Sequence, residues 1–185
     1  MRKKAAKKPK TVTVTSLKRE IRKVRHAIDK HYSLYVRVRD HATCVVCGSR
    51  ERPQCGHVFT ADSLETRWDV GTDGVNAYCQ CAACNCQHEY RPHLYHAWFI
   101  GRFGYSKFLA LAVRHRLGSS RFPKDKAGYQ RMLNWMLSKQ EEIEAAFTEE
   151  CKKVAAEAKG DEPLAPRWPT LKQTNPEVMP CREYL

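Results

Sequence analysis

The sequence predicts an α+β protein in which a small cysteine-rich centre lies between helical segments. Near both ends, apolar residues recur at steps of three and four, which is the period of an amphipathic helix. Residues 41–86 lack this period and contain cysteine pairs among Gly, Pro, Asp and Thr, so we expect loops and a short β-hairpin around Cys55 to Phe59. The expected regions are a disordered basic arm (1–15), a basic helix with the cysteine-rich core (16–104), a helical extension (105–160) and a Pro-rich tail (161–185).

An amphipathic helix is predicted directly after the basic arm. It should begin at Ser16, a suitable N-cap, and end near Asp40. Its other face carries basic side chains, among them Arg19, Arg22 and Lys23, and is either an ordinary solvated face or a DNA-binding one. The predicted buried stripe comprises Leu17, Ile21, Val24, Ile28, Tyr32 and Tyr35.

Three further helices are predicted downstream. Short ones should run from Asn85 to Gly101 and from Tyr105 to Leu117, where Gly118 could supply a left-handed C-terminal stop. A longer helix should run from Lys126 to about Ala158. Its predicted buried stripe comprises Tyr129, Met132, Leu133, Met136, Leu137, Ile143 and Phe147.

The net charge indicates the class of partner. The chain has 33 Lys and Arg against 20 Asp and Glu, a formal net charge of +13. Such a charge attracts phosphate polymers and favours binding through counterion release. The first ten residues contain six Lys or Arg and no acid, which suits an arm that follows a phosphate backbone. We therefore expect a nucleic acid, with DNA ahead of RNA.

The expected compartment is the cytoplasm. No run of eighteen apolar residues occurs, and the N-terminus lacks the apolar stretch of a secretory signal, so we expect neither membrane insertion nor export. In a reducing compartment, nine cysteines are better explained as metal thiolates with some free thiols than as disulfides.

Two cysteine pairs predict a structural zinc site. Cys44 and Cys47 form a CxxC knuckle whose following residue, Gly48, relieves the tight turn, and Cys81 and Cys84 form a second. Two such pairs match the tetrahedral four-thiolate arrangement of structural Zn²⁺. The other cysteines compete or stand apart. Cys79 and Cys86 compete as ligands, whereas Cys55, Cys151 and Cys181 have no suitable partner and are expected to be free.

A histidine and two asparagines occur in a fixed order around these cysteine pairs. His57 lies between the pairs in the predicted hairpin, Asn76 precedes the second pair, and Asn85 directly follows it. This order resembles the HNH, or ββα-metal, nuclease site. The stretches SLYVRVRD, CVVCG, QCGH, RWD and QCAACN, in this order, resemble the NinG/Rap recombination endonucleases of lambdoid phages, over about residues 16–104.

The resemblance implies a role for each of these residues. His57 would be the general base that takes a proton from the attacking water. Asn76 would hold the hairpin loop and orient His57. Asn85 would offer its side-chain oxygen to a divalent ion, Mg²⁺ or Mn²⁺, that stabilises charge on the scissile phosphate. The implied core is a small zinc-stabilised HNH-like unit.

The sequence departs from this pattern before the histidine. Many HNH sites place an acidic metal ligand there, whereas this chain has Gly56. A carboxylate would have to come from elsewhere, or the ion would be held by neutral ligands and the phosphate. Glu89 and His88 lie four and three residues after Asn85 on the expected helix, so both are candidate ligands or simply solvated residues.

The resemblance also implies a substrate. The expected activity is hydrolysis of DNA in branched recombination intermediates, D-loops or Holliday junctions, inside a phage-infected bacterial host. A junction has two scissile strands, so a homodimer is expected, with the long C-terminal helix as one candidate interface. A recombinase is a further candidate partner. Arg67 and Arg91 are the candidate phosphate contacts near the site. The alternative is a non-catalytic zinc-containing DNA-binding protein, a recombination accessory factor or regulator, which would have no use for His57 and Asn85 together.

Overall fold

The computed structural model describes residues 12–118, 121–158 and 164–168. The predicted arm, apart from its last four residues, and most of the predicted tail lie outside these ranges. In chain order the elements are α1 Val14–Arg39, β1 Pro53–His57, α2 Leu64–Arg67, β2 Ala77–Cys81, α3 Ala82–Tyr90, α4 Pro92–Phe103, α5 Tyr105–Leu117 and α6 Lys126–Glu157. The fold is therefore mixed, with helices around a small two-stranded sheet, as predicted. No helix of the described residues is long and apolar enough to span a bilayer.

The first helix starts earlier than predicted. Thr13, rather than Ser16, is the N-cap: its hydroxyl accepts from the Ser16 backbone N–H at 3.1 Å, and the Ser16 hydroxyl accepts from the Thr13 N–H at 3.0 Å. Ser16 takes the place that Glu or Gln usually fills in this reciprocal capping box. The sequence therefore did not show the usual capping-box pattern that would have placed the start of the helix at Thr13. The C-cap is Asp40, as expected. Six residues of the predicted stripe are buried: Leu17, Ile21, Val24, Ile28, Tyr32 and Tyr35.

The sheet joins strands that are distant along the chain. The predicted local hairpin around Cys55 to Phe59 is instead β1 paired antiparallel with β2, with Gly56 opposite Tyr78 and His57 opposite Ala77. All five residues of β2 are buried. The connection between the strands contains α2 and several turns. Strand β2 leads directly into α3, so the second cysteine knuckle lies at a strand-to-helix junction.

Helices α1 and α6 pack side by side and share one apolar core. Lys18 lies over Tyr129, His31 contacts Glu144, and His41 contacts Glu157, so the two helices run parallel. Leu133, Met136 and Ile143 of α6 are buried here as predicted, and Tyr129, Met132 and Phe147 pack partly buried against the same core. Leu137 is 44% exposed, contrary to prediction, because it lies off the face that meets α1.

A second core surrounds the cysteines and is closed by α4 and α5. Tyr95, Trp98 and Phe99 of α4 are buried against Tyr78 of β2. Helix α5 begins at Tyr105 and ends at Leu117, the predicted range, while the predicted first short helix is split into α3 and α4 at Arg91. Gly118 has φ −73°, so it is a right-handed C-cap and not the predicted left-handed stop.

A buried ion pair connects the two cores. Arg39 and Asp40, at the end of α1, are fully buried and joined by two hydrogen bonds of 2.7 and 2.9 Å. Arg39 also donates to the Ala77 carbonyl of β2, and Asp40 accepts from the Cys79 backbone N–H at 2.7 Å. Trp168 donates to Asp40 at 3.0 Å from the described part of the tail. Because every charge has partners, this pair fixes β2 against α1 without leaving an uncompensated buried ion.

Candidate metal centre and adjoining strand end

The two cysteine pairs meet in space. One sulfur atom from each of Cys44, Cys47, Cys81 and Cys84 lies within 4.8 Å of the others, and Cys47 Sγ is 3.7 Å from Cys81 Sγ. Four thiolates in this arrangement could hold a metal ion such as Zn²⁺, whose tetrahedral four-cysteine sites have this chemistry. The pairing predicted from the spacing is therefore the one the fold provides.

Each knuckle is formed by local backbone contacts. At the first, Gly48 has φ +77° and its N–H donates to the Cys44 carbonyl at 2.8 Å, which closes the turn. At the second, Cys81 is the N-cap of α3, and its sulfur accepts from the Cys84 backbone N–H at 3.4 Å. The Val45 N–H donates to the Cys79 carbonyl at 2.9 Å and so brings the first knuckle against β2.

The thiols differ in acidity within the cluster and outside it, and hydrogen bonds with Cys47 and Cys81 raise the pKa of Cys44. The hydrogen bond from Cys44 lowers the pKa of Cys81 to about 6, so a thiolate is available near neutral pH. Burial raises the pKa of Cys79 and of Cys55 to about 12, so both remain protonated thiols. Cys86 is exposed on α3. Cys79 and Cys86, the competing ligands, do not belong to the group of four sulfur atoms that lie close together.

His57 ends β1 and has one defined polar contact. Its Nε2 lies 3.0 Å from the Arg67 carbonyl oxygen, and its ring is 6.2 Å from the ring of Tyr32 on α1. A carbonyl only accepts, so Nε2 carries the hydrogen and Nδ1 is the basic nitrogen of the neutral ring. Burial lowers the pKa of His57, against the opposing effect of the Arg67 carbonyl, so the ring is neutral near pH 7.

Asn76 holds the chain that leaves β1. Its side chain is fully buried; Oδ1 accepts from the Phe59 N–H at 2.8 Å, and Nδ2 donates to the Phe59 carbonyl at 3.1 Å. Its own backbone carbonyl accepts from Val58 N–H at 2.6 Å. The amide thus pins the loop two residues beyond His57. Nδ2 also lies 3.5 Å from Thr66 Oγ1, and among the described residues the hydrogen bonds of this side chain go to Phe59 and Thr66 rather than to the His57 ring.

Asn85 lies in the first turns of α3, beside β1. Its Nδ2 donates to Gln54 Oε1 at 2.9 Å, and its Oδ1 would be 3.0 Å from a β-carbon at position 56. Successive residues of a strand point to opposite faces, so Gly56 faces α3 while His57 faces α1. Asn85 and His57 therefore adjoin the same strand end from its two sides.

Histidines cluster near this strand end. His96 Nε2 lies 3.0 Å from the Val58 carbonyl, and the rings of His88 and His96 are 6.1 Å apart. Burial, reinforced by the nearby His96 and His57, lowers the pKa of His88 to about 4. His88 is therefore a neutral imidazole at pH 7. Glu89 is exposed on the next position of α3.

The predicted nucleic-acid contacts differ in availability. Arg19, Arg22 and Lys23 are exposed on α1, and Arg91 is exposed between α3 and α4. Arg67 is less exposed than these residues; it is paired with Asp29 through two hydrogen bonds of 2.9 and 2.8 Å, and it also donates to the Ala61 carbonyl. Its guanidinium is thus occupied within the fold, and its backbone carbonyl contacts His57.

One residue beside the site was missed by sequence reasoning. Gln80 of β2 is fully buried, and neither its side-chain oxygen nor its nitrogen has a hydrogen-bond partner. The available signal was a glutamine between two cysteines of a buried strand, a position where an apolar residue is usual. That signal is readable only once β2 is recognised as a strand.

Comparisons of the chain with protein-family models, curated proteins and solved structures gave no match.

Proposed function

We propose that the protein is a metal-dependent DNA endonuclease of the HNH type, related to the NinG/Rap recombination endonucleases, with branched recombination intermediates as substrates. The proposal includes action as a homodimer beside a recombinase. It rests on the motifs in the sequence together with one spatial observation: a neutral, oriented histidine and a helix-borne asparagine adjoin the same strand end.

The oriented histidine is the observation that carries the proposal. His57 donates through Nε2 to the Arg67 carbonyl, which leaves Nδ1 as the proton acceptor. A lowered pKa keeps the ring in its basic form at neutral pH. These are the properties of a general base that activates water for attack on phosphorus.

The divalent ion would be bound from α3. Asn85 offers an amide oxygen, a ligand type that Mg²⁺ and Mn²⁺ accept, and Glu89 or His88 could add a second donor. The ion, when bound, would stabilise charge on the phosphate and the leaving oxygen. Because His88 is uncharged at neutral pH, it would not repel the cation.

The four-cysteine site has a supporting role in this proposal. Cys81 caps α3 and Cys84 lies in its first turn, so a zinc ion there would fix the start of the helix that carries Asn85. The zinc would thus position a catalytic ligand without touching the substrate.

Cleavage assays on His57→Ala test the proposal. Linear duplex, D-loop and four-way junction DNA are incubated with purified protein in Mg²⁺ or Mn²⁺ and, separately, without divalent ions. We expect divalent-dependent nicking of branched DNA by the parent protein and loss of at least 100-fold in His57→Ala, the contribution typical of general-base catalysis. Bound zinc and DNA affinity should be retained.

His26→Ala is the matched control, because His26 is exposed on α1, away from the strand end. It should cut at the parental rate when DNA is saturating. Equal cutting by His57→Ala would overturn the assignment of the base. DNA binding without any cleavage by the parent protein would favour the non-catalytic accessory role.

A further inference from the structure

The amide of Gln80 is unsatisfied in a place where buried polar groups normally have partners. Its side chain is fully buried, and both amide atoms lack a hydrogen bond. Such a group costs free energy, so it is retained only when a ligand, an ion or a water completes it or when it serves a purpose. The unsatisfied amide therefore indicates an occupant of the site.

The surroundings of Gly56 show where the Gln80 oxygen lies and which other oxygen is near it. A β-carbon at residue 56 would overlap Gln80 Oε1 and would lie 3.0 Å from Asn85 Oδ1. The missing side chain of Gly56 thus leaves room for the Gln80 oxygen, which comes from β2, and the Asn85 oxygen, which comes from α3, lies near the same point. Gln80 is opposite Gln54 in the sheet, and Gln54 Oε1 accepts from the Asn85 amide at 2.9 Å, which orients Asn85 Oδ1 away from that contact.

We propose that Gln80 and Asn85 together bind the divalent cation through their side-chain oxygens, and that this pair replaces the carboxylate absent at Gly56. The inference rests on the proposed function, since it names a ligand of the same cation. Gln80 lies on β2, so the site would take its ligands from both a strand and a helix. Gly56 is then required as the space into which the Gln80 oxygen projects.

A neutral ligand pair has a consequence for affinity. Mg²⁺ and Mn²⁺ prefer oxygen ligands, and the charge of those ligands sets how tightly they bind. Two amide oxygens supply no negative charge, so the free protein should bind the cation weakly, and the phosphate of DNA would supply the missing charge. Replacing one amide by a carboxylate should therefore strengthen binding to the free protein.

The experiment measures Mn²⁺ binding by the zinc-loaded full-length protein without DNA. Mn²⁺ is paramagnetic and broadens the NMR signals of nearby nuclei, so the side-chain NH₂ signals of Gln80 and Asn85 report its position. The Gln80 signal is assigned as the one lost in Gln80→Leu, a variant of similar volume. We expect selective broadening of both signals in the parent protein at millimolar Mn²⁺, and none at Asn85 in Gln80→Leu.

Gln80→Glu supplies the gain-of-binding arm. It should tighten Mn²⁺ binding at least 10-fold, with strongest broadening at Asn85. Gln130→Glu is the matched control, since Gln130 is exposed on α6 and gives the same change of charge away from the strand end. It should leave the affinity unchanged.

The outcomes separate this inference from the nuclease proposal. Equal broadening at Asn85 in the parent and in Gln80→Leu would overturn the role of Gln80 while leaving Asn85 as a ligand. No broadening in the parent, or no tighter binding by a folded Gln80→Glu, would also overturn the inference and leave a bound water as the partner of Gln80. The cleavage assay on His57→Ala is independent of all three results.

Discussion

At Arg67, the same side-chain chemistry fits two different partners. A guanidinium pairs equally well with a phosphate or a carboxylate, so the sequence favoured a DNA contact. The fold instead gives it Asp29 on α1, at 2.9 and 2.8 Å, and Asp29 also accepts from Trp68 Nε1 at 2.8 Å. This contact fixes the segment whose carbonyl orients His57. The partner lies on a distant helix, so local sequence could not have identified it.

The pH dependence of cleavage is a test at the scale of this one histidine. Burial depresses the pKa of His57 below its ordinary 6.5, so the ring stays basic to lower pH than a free imidazole. The acid limb of kcat/KM should therefore fall below pH 6.5. Measurement from pH 5 to 8 at fixed Mn²⁺ checks this, and a limb centred above pH 6.5 would contradict it.

The same pKa shift makes the free energy of unfolding depend on pH. Below pH 6.5 the unfolded chain takes up a proton on His57 more readily than the folded one, so the free energy of unfolding should decrease as the pH falls toward the folded-state pKa. Asp29→Asn is a companion variant that weakens the hold on Arg67 and also removes a carboxylate whose charge raises the pKa of His57. The Asp29→Asn variant should lower kcat strongly while changing the zinc content of the protein little.

At the scale of elements, features set by neighbouring residues were predicted from the sequence, whereas pairing between distant segments was not. The two knuckles and the ends of α5 follow from short spacings and were readable. Strand β2 was not predicted, because all five of its residues are buried, so it shows no alternation of apolar and polar residues, and its partner β1 lies beyond a long connection. The candidate base, His57, was identified from its motif. The position of the Gln80 side chain beside Gly56 could not be predicted, because it depends on the register of β1 against β2.

Loss of a knuckle should disrupt more than the metal site. Cys84→Ser removes one of the four clustered sulfurs, and zinc binding supplies on the order of 10 kcal/mol of folding free energy in small sites. That is comparable to the whole stability of a domain, so residues 41–100 should unfold. Zinc content and amide hydrogen exchange over this range are the measurements.

Cys86→Ser is the control for this loss, since Cys86 is exposed two residues further along α3. It should keep one zinc per chain and normal exchange protection. If Cys84→Ser also retained one zinc per chain, the four-cysteine assignment would be wrong and Cys79 or Cys86 would be the replacement ligand.

At the scale of the whole molecule, α1 packs its apolar face against α6 and carries basic side chains on its opposite face. The apolar stripe of each helix was predicted from its period. The parallel packing of the two helices could not be predicted in this way, because it depends on the fold of the residues that lie between them in the chain. Because α6 covers the apolar face of α1, the exposed face of α1 presents Arg19, Arg22 and Lys23 to solvent. With the net charge of +13, these exposed basic residues make the α1 face the candidate contact for a phosphate backbone.

The salt dependence of DNA binding decides whether that face is used. Each phosphate contact contributes about 0.9 to the slope of log K against log salt, so Arg19→Ala/Arg22→Ala should reduce its magnitude by about 1.8 if both residues contact DNA. The measurement is fluorescence anisotropy of labelled duplex across a salt series without divalent ions.

Lys152→Ala/Lys153→Ala removes the same charge from the far end of α6, where both lysines pair with acidic neighbours. If DNA binding depended only on the overall positive charge, the two double variants would lose affinity alike, and the slope of log K against log salt would not change specifically in the α1 variant. A contact surface on α1 would change the slope only in the first variant, because counterions are released where side chains meet phosphates and not wherever the protein is positive.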